Sequence, residues 1–99
     1  MMRMCEEMGK LRRELTKRRI RWKDNSTISE DLTIYRTHFK FRRYKISVIY
    51  GDFTYGGKNH YDGSDCGLLE MQCSCLNNGE PFGYLTAEKV FKELEGIKK

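Results

Sequence analysis

No stretch of this chain approaches the roughly 18 consecutive apolar residues that a membrane-crossing helix needs. The first residues hold no apolar secretory core, because Arg3, Glu6, Glu7 and Lys10 interrupt them. The expectation is therefore an intracellular, cytoplasmic protein with no membrane partner. Paired C-x2-C knuckles are missing as well. Cys66, Cys73 and Cys75 fall in a C-x6-C-x-C spacing with His60 upstream, which argues against structural zinc. In an intracellular setting the four cysteines are expected as reduced thiols. There is no G-x4-G-K-[ST] phosphate loop, no internal repeat and no low-complexity tract. The spacing of Ser64, Cys66, His38, His60 and the aspartates does not assemble a nucleophile, a base and an orienting group. Neither an enzyme nor a cofactor is expected.

What the chain does have is charge, unevenly placed. Its 99 residues suit a single domain, 1–99, with 38% hydrophobic and 33% charged residues. The net charge of +5 splits sharply along the sequence. Residues 1–45 hold 14 basic and 6 acidic side chains, and residues 46–80 hold 1 and 5. A basic half favours anionic partners such as nucleotides, nucleic acid or an acidic protein surface. Its densest part is KLRRELTKRRIRWK, Lys10 to Lys23, with Trp22 as its one aromatic.

Periodicity assigns most elements. Met4, Met8, Leu11 and Leu15 form one helical stripe that fades near Arg18. Ile20 and Trp22 then alternate with Arg19, Arg21 and Lys23 as a short strand. In DLTIYRTHFKFRRYKISVIYG, a tight turn at Arg42-Arg43 sets Phe41 opposite Tyr44, Phe39 opposite Ile46, Thr37 opposite Val48 and Tyr35 opposite Tyr50. All eight then share one side of an antiparallel hairpin. Arg-Arg, however, lacks the glycine or asparagine that such turns favour. The other side carries Arg36, His38, Lys40, Lys45 and Ser47, facing either solvent or something negative. GLLEMQCSCL reads as a third long strand. Thr86 reads as the N-cap of a second helix with Ala87, Val90, Phe91 and Leu94 inward and Gly96 at its end. The fold class expected is α+β: a mainly antiparallel sheet of three to four strands, with the N- and C-terminal helices packed on one face.

Between the second and third long strands lies YGDFTYGGKNHYDGSDCG, Tyr50 to Gly67, with five of the nine glycines. Long unstructured connections are uncommon in compact domains and often bind something. One reading makes Gly56-Gly57 before Lys58 a concavity of amides for an anion. Tyr50, Tyr55 and Tyr61 would then stack on a base, Lys58, Asn59 and His60 would bond its phosphates or ribose, and Arg36, His38 and Lys40 would complete a positive pocket. The bland reading is a surface connector whose Asp62 and Asp65 cap turns.

The stretches RTHF (Arg36 to Phe39), ISVIYG (Ile46 to Gly51), TYGG (Thr54 to Gly57), GLLE (Gly67 to Glu70) and GYLTAEKV (Gly83 to Val90) resemble short uncharacterised proteins of phages and mobile elements of Gram-positive gut bacteria. That resemblance implies a setting rather than a chemistry: small accessory proteins acting against host defence, some by sequestering nucleotide signals. The expected function is then a non-enzymatic sponge for an anionic nucleotide-like ligand, an immune second messenger, enclosed by a homo-oligomer. The alternative is an inhibitor of a nucleic-acid-processing defence enzyme, a host protein or its nucleic acid being contacted through the basic N-terminal half.

Overall fold

The protein is described by a computed structural model covering residues 3–59, 61–74 and 76–97. Helix α1 spans Glu6–Lys17. Strands β1 (Trp22–Asp24), β2 (Thr27–Ile28), β3 (Thr33–Phe41), β4 (Tyr44–Gly51), β5 (Leu69–Gln72) and β6 (Phe82–Leu85) follow, with a 3-10 turn at Asn77–Gly79 before β6. Helix α2, Ala87–Glu95, ends the described chain's regular structure. All pairings between strands are antiparallel, in the order β1-β3-β4-β5-β6, and β2 pairs with β3 beyond the end of β1. The α+β class is as expected, with six strands among the described residues instead of three or four. The two additional strands are short. β2 has two residues, and β6 carries a register shift between Leu69 and Met71 of its partner, so neither shows a clean alternation.

One core holds the fold together. Met8, Leu11 and Leu15 of α1 and Val90, Phe91 and Leu94 of α2 are buried against Phe39, Ile46, Val48 and Met71 of the sheet. Each such side chain contributes roughly 1.5–3 kcal/mol by leaving water. Both helices thus cover the same sheet face. Met4, expected in the α1 stripe, precedes the helix and is exposed. The Glu7 carboxylate accepts from the Ala87 amide at 2.8 Å and so joins the helices, while Thr86 accepts from the Lys89 amide as the N-cap of α2. Cys73 lies in the core and is disulfide-bonded, against the expectation of four thiols; Cys5 and Cys66 are free. The third long strand expected over GLLEMQCSCL is shorter, ending at Gln72, and Cys75 lies outside the described residues.

The β3–β4 register is the one expected, with Tyr35, Thr37, Phe39 and Phe41 opposite Tyr50, Val48, Ile46 and Tyr44. Arg42 and Arg43 close it with φ of 48° and 75°, the left-handed pair that the preferred two-residue hairpin turn requires. Arginine tolerates this poorly. Arg42 is compensated, because its guanidinium donates to the carbonyls of Glu95 and Ile97 at the C-terminal end of α2 and lies over the Phe41 ring.

Candidate anion-binding groove

The sheet face turned away from the helices is uncovered along β1, β3 and β4. Strand pairing sets its side chains in rows. Lys23 of β1 stands beside His38 of β3, His38 beside Ser47 of β4, and Ser47 beside Gln72 of β5. One step nearer the hairpin turn, Lys40 faces Lys45. One step further from it, Arg36 faces Ile49 and Ile49 faces Glu70.

A groove of about 910 Å³ opens over the first two rows. Arg19, Arg21, Lys23, Lys40 and Lys45 line it, and among the described residues no acidic one does. Among the described residues, none of these five cations forms an ion pair. Three other basic residues of the N-terminal half form ion pairs within the fold. Lys10 pairs with Glu7, Arg18 with Glu14 and Glu95, and Arg12 with Asp24.

Arg12 also explains why β1 sits where it does. Its Nε donates to Thr37 Oγ1 at 2.8 Å, and its guanidinium lies 5.0 Å from the centre of the Trp22 ring. The Trp22 indole N–H donates to Thr16 Oγ1 at 2.9 Å. Trp22 is thereby tied to α1, and alternation turns Arg21 and Lys23 to the opposite, open side. Asp24 faces the helices beside Arg12, so its carboxylate does not oppose the groove. Bonds from the Ser26 hydroxyl and amide, then Arg12, hold its pKa below the usual carboxylate range.

His38 lies in the middle of the groove. The Asn25 amide donates to its Nδ1 at 2.6 Å, which leaves the proton of the neutral ring on Nε2. Burial, then the nearby Arg36 charge, pushes its pKa below the ordinary 6.5. Arg36 shares this face but is held by the Asn25 carbonyl at 2.9 Å, outside the groove lining.

The glycine-rich connection lies outside the groove lining. It is a packed loop that satisfies its own amides. Gly57 N donates to Thr54 O, Lys58 N to Gly51 O and Asn59 N to Ser64 O. Asp62 and Asp65 accept from the amides of Ser64 and Gly67, the turn-capping role of the bland reading. Gly56 and Gly57 are buried in close backbone packing, where a Cβ on Gly57 would strike Thr54 Oγ1. Tyr50 is 3% exposed, on the helix side of the sheet, so it cannot stack on a ligand in the groove. Its hydroxyl donates to Asp65 Oδ2 at 2.6 Å, and burial together with that carboxylate pushes its pKa up. Tyr55 and Tyr61 are exposed. Lys58 and Asn59 sit on the loop and do not line the groove. His60 lies outside the described residues.

Of the sequence-derived site, then, the structure brings His38 and Lys40 together and sets the loop residues apart from them. The residues missed are Arg19, Arg21, Lys23, Asn25, Lys45 and Ser47 as one constellation. Their signal was present in two pieces, the alternation of Arg19, Arg21 and Lys23 and the polar side of the hairpin. The missing step was that β1 docks on β3. No family model matches the chain, and no curated protein or solved structure is similar to it. Among the described residues, no cluster of three or more His, Cys, Asp or Glu is placed to hold a metal, and no helix is long and apolar enough to cross a membrane.

Proposed function

We propose that the chain is a non-enzymatic binding protein that holds a phosphate-bearing, nucleotide-class anion in the basic groove. The observation that carries this is the set of five unpaired cations, converging from three neighbouring segments with no carboxylate among them. Lys40 and Lys45 stand directly opposite each other across β3 and β4, an arrangement that costs energy in the free protein. An anion between them removes that cost. Arginines supply planar paired donors to phosphate and lysines supply point charges. His38 Nε2–H, Ser47 and the Asn25 amide add neutral hydrogen-bonding groups beside them. Binding without turnover is supported by the state of His38, the lining residue suited to acid–base work. Its Nδ1 is committed to Asn25 and its basicity is lowered, with no lining carboxylate to orient it.

In the phage setting implied by the resemblance, holding such a ligand keeps it from a host defence system. The N-terminal share of the groove, Arg19 to Lys23, favours a second form of the same reading, in which nucleic acid bound there blocks an enzyme that processes it.

Native mass spectrometry with a panel of cyclic and linear nucleotides tests the proposal. A retained ligand of unchanged mass is expected, lost in Lys40→Glu/Lys45→Glu and kept in Arg13→Glu, whose exposed side chain lies outside the groove. Arg12→Glu is not a fair control, because Arg12 anchors β1. Chemical change in the ligand, or equal binding by the double lysine variant, overturns it.

A further inference from the structure

The uncovered face does not end at the groove. Beyond Ser47 and Ile49 it continues over Gln72 and Glu70 of β5 to β6, where the glycine-rich loop lies on it. Two observations put Tyr55 on this face. Glu70, which shares a row with Arg36 and Ile49, accepts from the Tyr55 amide at 2.7 Å. Gly83 of β6 has the Tyr55 backbone directly above it, so that a Cβ at Gly83 would collide with Tyr55 Cβ and its carbonyl oxygen. Phe82 beside it packs into the core, so Gly83 points to the open side. Tyr55 is 56% exposed.

The face therefore has an ordered composition. Cations stand over β1, β3 and β4; half-buried Ile49 and the neutral donors Ser47 and Gln72 lie in the middle; and an exposed tyrosine has its backbone pinned over β5–β6. The one carboxylate in the rows, Glu70, is engaged by the loop amide. Neighbouring strands lie about 4.8 Å apart, so the five strands of the path span roughly 19 Å. A stacked single strand advances about 3.4 Å per nucleotide, so one nucleotide occupies only part of this width. Proteins that hold single strands combine a positive track for phosphates with aromatic platforms for bases.

We infer that the ligand of this face is a single-stranded nucleic acid, with its phosphates on Arg21, Lys23, Lys40 and Lys45 and a base stacked on Tyr55. The inference rests on the groove being a phosphate site, as proposed above, and adds the polymer and the platform. It also sets a direction of travel, across the strands and not along them.

Fluorescence anisotropy with labelled dT8 and U8 tests it, with pyrophosphate, a mononucleotide, a cyclic dinucleotide, dT4 and unlabelled dT8 as competitors. Competition should strengthen at least tenfold from the mononucleotide to dT4. The logarithm of the affinity for dT8 should fall with the logarithm of salt at a slope of about −2 to −3, as three or four phosphate contacts require. Tyr55→Ala should weaken dT8 about tenfold and leave pyrophosphate unchanged, while Tyr55→Trp should retain the affinity. A mononucleotide or cyclic dinucleotide competing as well as dT8 overturns the strand inference and leaves the groove reading in place. Indifference of dT8 to both Tyr55 variants overturns the platform. Binding of none of the probes removes both readings together. A thermal melt of each variant separates lost binding from lost folding, and the length series needs no variant at all.

Discussion

Lys40 and Lys45 face each other as a direct cross-strand pair at the hairpin end of β3 and β4, with a third lysine, Lys23, one row away and no carboxylate in the groove between them. Like charges in that position are destabilising by roughly 0.2–1 kcal/mol. Lys45→Glu should therefore stabilise the free protein by about that amount, since it replaces a repulsive pair with an attractive one. The same change should weaken binding of a phosphate ligand. Urea unfolding at low salt reads the first effect, which should vanish near 1 M salt where screening is short-ranged, and calorimetry reads the second. Stability and affinity moving in the same direction would remove the argument that the pair is kept for a ligand.

How far this was legible in the sequence depends on where each constraint comes from. The β3–β4 register was legible because four facing pairs all had to agree in phase, and a slip of one residue would have turned every one of them to the other side. The α2 boundaries were legible because Thr86 and Gly96 mark them locally. The groove was half legible. Its hairpin wall followed from alternation, but its β1 wall depends on Arg12 reaching Thr37 and Trp22, a contact 25 residues apart in sequence that no local pattern announces. The packing of the loop was not legible for a related reason. Gly56 and Gly57 look like an anion nest when taken alone, yet the contacts that demand glycine there come from Tyr84, Leu68 and Thr54. Glycine records that something comes close without recording what.

The hairpin turn separates the two arginines by role. Arg43 sits at φ 75° with an exposed side chain, and a non-glycine residue in that region costs about 1–2 kcal/mol. Arg43→Gly should stabilise the protein by about 0.5–1 kcal/mol after glycine's added chain entropy is subtracted. Arg42→Ala keeps the backbone strain and loses the bonds to Glu95 and Ile97, so it should destabilise by about 1 kcal/mol. Urea midpoints at constant slope measure both, and opposite signs are the expected result.

Two glycine-to-alanine changes should likewise differ in sign. Gly9 lies inside α1, where its added Cβ would meet only the end of the Arg13 side chain at 3.3 Å, a group free to swing aside. Gly9→Ala should stabilise by up to about 1 kcal/mol through helix propensity. At Gly83 the obstacle is the Tyr55 backbone, held by Glu70 and by the Tyr84 amide. Gly83→Ala should cost about 1–3 kcal/mol, as overpacking does. It should also release the Tyr55 amide, which hydrogen exchange would detect as lost protection confined to the loop and β6.

His38 gives the groove a dependence on pH whose sign follows from its surroundings. Lys23 faces it from β1 and Ser47 from β4, Arg36 and Lys40 flank it on β3, Lys45 stands one row away, and Asn25 bonds its Nδ1. Burial and Arg36 lower its folded pKa below 6.5, so on acidification the unfolded chain takes up the proton first. Stability should therefore fall as pH drops from about 6.5 to the folded pKa and then level off. A bound phosphate reverses the local preference, because it faces the ring with negative charge and draws the proton on. Affinity for sulfate, whose charge does not change in this range, should rise between pH 7.5 and pH 5.5 while the stability of the free protein declines. Calorimetry in two buffers of different ionisation enthalpy should show proton uptake on binding at pH 6.5. In His38→Gln both the uptake and the stability slope should disappear, and uptake that persists in this variant would place the titrating group elsewhere.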